Sequence, residues 1–131
     1  MPNFRLPADS LEYAVLRTLW ELRRASVREL HERAGEPEGL VYTTTAKVVD
    51  RLRDKGLVER SREGGGFVYT PLVERNVVER ARARQLMSRF LGPGPRPAVA
   101  ALVDAIDEID PALLDALESA IRARKERDHG A

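Results

Sequence analysis

The chain has 131 residues, no cysteine, and a net charge of +1 from 22 basic and 21 acidic residues. A chain of this length forms one domain, or one domain with an appendage, and buries roughly two-thirds of its unfolded surface without cross-links. The absence of cysteine excludes disulfides and thiolate metal sites. With no apolar signal region at the N-terminus and no apolar run near the roughly 20 residues that span a bilayer, the expected location is the cytoplasm.

Asp9 or Ser10 can cap a first helix. Leu11, Val15, Leu19 and Leu22 recur at helical spacing, Leu16 and Trp20 widen the apolar stripe, and the helix is expected to fade near Arg24. Ser26 followed by Glu29 matches a capping box, which opens a short second helix through Ala34. Gly35, Pro37 and Gly39 mark a turn. A third helix is expected over 41–55, with Gly56 as the left-handed residue that ends it. Two short strands, 57–62 and 67–70, flank Gly64, Gly65 and Gly66 and read as a hairpin that Pro71 closes.

A fourth helix is expected over 73–91, before the strongest break in the chain, Gly92 to Pro97. Val99, Leu102, Val103 and Ile106 form the apolar stripe of a fifth helix. Asp110 as cap and Pro111 at the first helical position open a sixth, striped by Leu113, Leu114, Leu117 and Ile121. Arg122, Arg124, Lys125 and Arg127 fall toward its C-terminal end, where cations suit the helix dipole, and the last residues are expected to fray.

The fold class is therefore mostly α with a small β-hairpin. Two short helices, a third helix and a hairpin make a winged helix-turn-helix over residues 1–72, with a helical appendage over 73–131. Charge is unevenly spread: residues 1–72 carry 12 basic and 11 acidic side chains, 73–92 carry 5 and 2, and 93–131 carry 5 and 8. An acidic final third is repelled by phosphate and belongs on the side away from DNA.

The third helix divides by face. Thr45, Val48, Val49 and Leu52 fall on a side suited to the core, while Tyr42, Thr43, Thr44, Lys47 and Arg51 lie at its start or on the opposite side. Hydroxyls beside the free N–H groups of a helix N-terminus suit phosphate oxygens and base edges. Lys47, one turn on, reaches a guanine edge or a phosphate; Arg51 meets a phosphate or an acidic neighbour. In the hairpin, Arg60 and Arg62 share one face by the period-two rule and either contact phosphate or remain solvated.

Other constellations are weaker. Asp104, Asp107, Glu108 and Asp110 lack the glycine and distal glutamate of a calcium loop and read as a solvated helix end. His31 and His129 are isolated from other ligands in the sequence. No serine has the flanking glycines of a nucleophile elbow. Trp20, Phe67 and Tyr69 read as core. No enzyme activity, metal or cofactor is expected. A protein-interaction module built on the same fold is the alternative to DNA binding, although such a surface should expose large apolar side chains.

The residues 15–20 (VLRTLW), 26–31 (SVRELH), 41–44 (VYTT), Arg51-Leu52, 55–58 (KGLV) and 67–72 (FVYTPL) together resemble the penicillinase-repressor family of bacterial regulators. The resemblance covers most of 11–91. It implies a homodimeric repressor on a palindromic operator in double-stranded DNA, paired through the C-terminal helices. The apolar stripes of helices five and six agree, being too short to form a core alone. Thr45 replaces a usually apolar residue, and the glycine tip replaces a frequent basic one. The family also makes a membrane sensor metalloprotease a candidate partner, cutting some members at an Asn-Phe bond in the C-terminal domain. The one Asn-Phe pair here, Asn3-Phe4, lies at the opposite end, and Asn76 precedes Val77, so that cleavage site is not carried over. The copper switch of other members needs cysteine and is excluded.

Overall fold

Asp9 caps the first helix: its Oδ1 accepts from the Glu12 N–H at 2.8 Å, and α1 spans Ser10–Leu22. A computed structural model describes residues 3–130. After α1 come α2 (Val27–Leu30), a π turn (His31–Gly35), a 3₁₀ turn (Glu36–Glu38), α3 (Tyr42–Asp54), β1 (Val58–Glu63) and β2 (Gly66–Pro71). Three further helices follow, α4 (Arg75–Phe90), α5 (Arg96–Ile109) and α6 (Ala112–Gly130). The chain divides into two compact units that part between Arg84 and Gln85.

In the first unit, α1 stops at Leu22, short of the expected fade at Arg24. Arg23 takes φ 73°, which costs a residue with a Cβ roughly 1 kcal/mol, and its N–H closes on the Leu19 carbonyl at 2.7 Å. The sharp turn sends Ala25 alongside β2. There the two backbones exchange hydrogen bonds, Ala25 N–H to Tyr69 O at 3.0 Å and Tyr69 N–H to Ala25 O at 2.8 Å. A one-residue bridge has no periodicity, so the sequence reading missed it.

The Ser26–Glu29 capping box forms as expected. The regular helix after it is brief, however, and the chain reaches Gly39 through the π and 3₁₀ turns instead of a helix to Ala34 followed by an open turn. Close packing at the end of the π turn requires glycine at position 35. A Cβ there would collide with Thr45 Oγ1 and lie 2.5 Å from His31 Nδ1.

Helix α3 agrees with expectation within a residue at each end, with Val41 and Lys55 as caps and Gly56 at φ 77°. The strands pair antiparallel with Arg60 opposite Tyr69, Arg62 opposite Phe67 and Glu63 opposite Gly66. Gly64 and Gly65 form the two-residue turn, at φ 57° and 83°, the double positive that a type I′ hairpin demands.

The core of this unit is Val15, Leu16, Leu19 and Trp20 of α1, Ala25, Leu30 and Ala34, Val48, Val49 and Leu52 of α3, then Leu57, Val58, Tyr69 and Val78. The start of α4 belongs to it. Val78 is fully buried, Trp20 Nε1–H donates to the Val73 carbonyl at 3.0 Å, and Tyr13 O–H donates to Glu79 Oε2 at 2.8 Å.

In the second unit α5 begins inside the expected break, with Pro97 in its first turn. Asp110 Oδ1 accepts from the Ala112 N–H at 3.0 Å, so the predicted cap is present while Pro111 stays in the turn before the helix. Helix α6 is 19 residues long and continues through Gly130, where fraying was expected. Arg122 and Arg124 consequently lie inside the helix, paired with Glu118 and Asp128 one turn away. Helices α5 and α6 pack on each other, yet neither contains a buried residue.

Candidate nucleic-acid interface

Burial sorts α3 as its sequence pattern predicts. Thr45, Val48, Val49 and Leu52 are buried, Tyr42, Thr43, Lys47 and Arg51 are exposed, and Thr44 is half-buried. The helix starts on Val41, whose side chain makes no capping hydrogen bond. The first-turn N–H groups thus lack the side-chain acceptor that Ser, Thr or Asp would supply, and an anion can take its place.

Thr45 sits in the core because His31 satisfies it. His31 Nδ1 and Thr45 Oγ1 share a hydrogen bond of 2.8 Å, whose direction depends on the imidazole tautomer. His31 read as isolated from the sequence; the fold instead buries it against Thr45, with Glu36 Oε1 3.9 Å from Nε2 and the Tyr42 ring edge-on at 5.6 Å between centroids. The polar departure at Thr45 is therefore a satisfied buried pair that ties the start of α3 to the preceding turn.

Sequence reasoning missed Glu12. It interrupts the apolar stripe of α1, yet it is buried, accepting from the Ala8 N–H at 3.0 Å, from Arg51 Nε at 3.1 Å and from Lys55 Nζ. Burial by itself raises a carboxyl pKa. The hydrogen bonds from Lys55, Ala8 and Arg51 outweigh it and hold the Glu12 carboxyl below the usual glutamate value. Of the two partners expected for Arg51, the fold supplies the acidic one. Its guanidinium engages Glu12 through Nε, and its side chain remains about half exposed. An acidic residue three places after a helix cap was the available signal.

On the hairpin, Arg60 and Arg62 share a face with Phe67, their guanidinium carbons 4.1 and 5.1 Å from its ring centroid. Trp20 and Tyr69 are core, as expected. Phe67 is not: it lies beyond the last buried rung and is 37% exposed. Glu59 and Glu63 occupy the opposite face, and Glu63 pairs with Arg24.

The family model for the penicillinase repressor matches residues 9–123. The chain belongs to the penicillinase repressor family. It is 31% identical over 121 residues to the transcriptional regulator BlaI of Mycobacterium tuberculosis (strain CDC 1551 / Oshkosh), covering 92% of this chain and 86% of that protein. Among solved structures, the DNA-binding domain of the repressor BlaI is 25% identical, with a TM-score of 0.49, covering 55% of this chain and 89% of that one. The regulator PcaV of Streptomyces coelicolor is 27% identical, with a TM-score of 0.47 and coverages of 85% and 80%.

Membership of the penicillinase repressor family makes this chain a winged-helix transcriptional repressor and not an enzyme, and it decides against the interaction-module alternative. Among the described residues no helix is long and apolar enough to cross a membrane. In the second unit of this penicillinase-repressor member, the eight apolar residues singled out from sequence divide evenly. Leu102, Ile106, Leu114 and Leu117 are half-buried, while Val99, Val103, Leu113 and Ile121 are exposed.

Proposed function

We propose that the chain acts as a homodimer on a palindromic operator, reading bases with Thr43, Thr44 and Lys47 and holding the phosphate backbone with the first turn of α3, Tyr42, Arg60, Arg62 and the part of Arg51 that stays exposed beside its Glu12 contact. The observation that carries this reading is α3 itself: one face is locked into the core, and the other presents hydroxyls and a lysine beside an uncapped N-terminus. Residues 1–72 bind DNA and 73–131 dimerise, with Val78 anchoring the connecting helix in the DNA-binding unit. The dimer is supported by α5 and α6, which leave Val99, Val103, Leu113 and Ile121 to solvent when alone. A two-fold pair spaces its reading helices by roughly one DNA turn, about 34–36 Å. With DNA as its target the repressor works in the cytoplasm. A membrane sensor protease encoded nearby would supply release from the operator.

Selection from a random duplex pool tests this. A palindromic consensus bound by two copies is expected, with affinity falling steeply as salt rises. Lys47→Ala should weaken binding to that consensus by about 1–3 kcal/mol if Lys47 meets a base edge. Equal affinity for consensus and random duplex at physiological salt would sink operator recognition. A monomer at micromolar concentration in ultracentrifugation would sink the dimer.

A further inference from the structure

The hairpin is built asymmetrically. The register puts Val58, Arg60 and Arg62 on the same face as Pro71, Tyr69 and Phe67, and Glu59, Ser61 and Glu63 on the other. The inner end of the first face is core, since Val58 and Tyr69 are buried. Its outer end leaves the core and carries two arginines and one phenylalanine. Phe67 contributes little to the core there, because more than a third of it is exposed. Its ring lies against two guanidiniums, at 4.1 and 5.1 Å from its centroid. A free arginine explores many rotamers, and fixing it on a ligand costs entropy; a guanidinium already resting on a ring loses less. The carboxylates are on the reverse face, so only one face of the wing can meet phosphate without repulsion. The Gly64-Gly65 turn carries no side chain that would hold that face off a backbone.

We propose that Phe67 is a positioning residue for DNA binding: its exposed ring pre-sets Arg60 and Arg62 on one face of the wing, so that the wing contributes a phosphate clamp despite its uncharged tip. This rests on the reading of the chain as a duplex-binding repressor and assigns its wing a residue that the cationic side chains alone would not reveal.

The test uses the full chain and a labelled mixed-sequence duplex of about 30 base pairs, roughly three helical turns, at about 50 mM salt, where phosphate contacts dominate. Phe67→Leu should weaken binding roughly three- to tenfold, the scale of two cation–π contacts partly spent on ordering. Phe67→Tyr, which keeps the ring, should restore wild-type affinity. In an Arg60→Ala, Arg62→Ala background, Phe67→Leu should have no further effect, whereas a loss through hairpin stability would persist there. Circular dichroism melts of every variant check that the fold is retained. Wild-type affinity in Phe67→Leu, failure of Phe67→Tyr to rescue, or a full additional loss in the double-arginine background would each overturn the proposal. If the wild-type chain binds no duplex, the repressor reading itself fails, a separate result from wild-type binding that Phe67 does not influence.

Discussion

The two units solve the burial problem in opposite ways. The first closes a core within one chain and satisfies the polar groups it takes inside: Thr45 on His31, Glu12 on Lys55, Arg51 and the Ala8 N–H, Trp20 on the Val73 carbonyl. Among the described residues no buried side-chain nitrogen or oxygen lacks a partner. The second unit has two well-formed helices and no buried residue in either. Amphipathic helices gain most of their stability from packing the apolar face, so α5 and α6 expose the surface that would stabilise them. The first unit should therefore depend on interior detail, and the second on protein concentration.

Gly35→Ala should be the most damaging single change, because its Cβ has no room between Thr45 and His31. A loss of roughly 3 kcal/mol or more is expected by chemical denaturation, in keeping with overpacking combined with a broken buried hydrogen bond. A variant as stable as the wild type would show that the π turn can shift away from α3. Glu12→Gln comes next. It leaves Lys55 partly buried without its counter-charge and should cost about 2–3 kcal/mol, measured the same way.

The same carboxylate sets an acid response. Because Glu12 titrates below its ordinary value in the folded chain, its contribution is complete above the usual glutamate range. It is lost as pH falls through the lowered folded value. Glu79, held down by Arg82 and Tyr13 against a burial cost, adds in the same direction, though its greater exposure weakens it. Melting temperature should thus decline on acidification below the glutamate range, and the decline should shrink in Glu12→Gln.

The smallest effect on the first unit should come from Val103→Asp combined with Ile121→Asp, both exposed. Its denaturation transition should stay within about 0.5 kcal/mol of wild type, as expected for surface changes. Sedimentation should nevertheless shift toward monomer. A lost transition would show that the units are not separable in stability, and an unchanged sedimentation profile would remove the second unit from dimerisation.

Much of this was legible in the chain. Apolar spacing marked the first, fifth and sixth helices and a capping box the second, the glycine run and flanking strands marked the hairpin, and the α3 pattern separated Val48, Val49 and Leu52 from Thr43 and Lys47. Local rules suffice there because caps, turns and amphipathic stripes are contained within a few residues. What escaped the sequence involves residues distant along the chain. Glu12 meets Lys55 across 43 positions, His31 meets Thr45 across 14, and Ala25 bridges Tyr69. Arg23 at positive φ ends α1 two residues before that bridge, a turn that no apolar spacing marks. Phe67 has the composition of a core aromatic, and only the strand register shows that its rung extends past the core onto two arginines. Local pattern was enough to mark the main helices, the hairpin and the polar side of α3, though not the π and 3₁₀ turns between α2 and α3. Tertiary structure decided which charges are free and which are spent, because hydrogen bonding and desolvation depend on what the fold brings within about 3 Å, and no spacing rule encodes that.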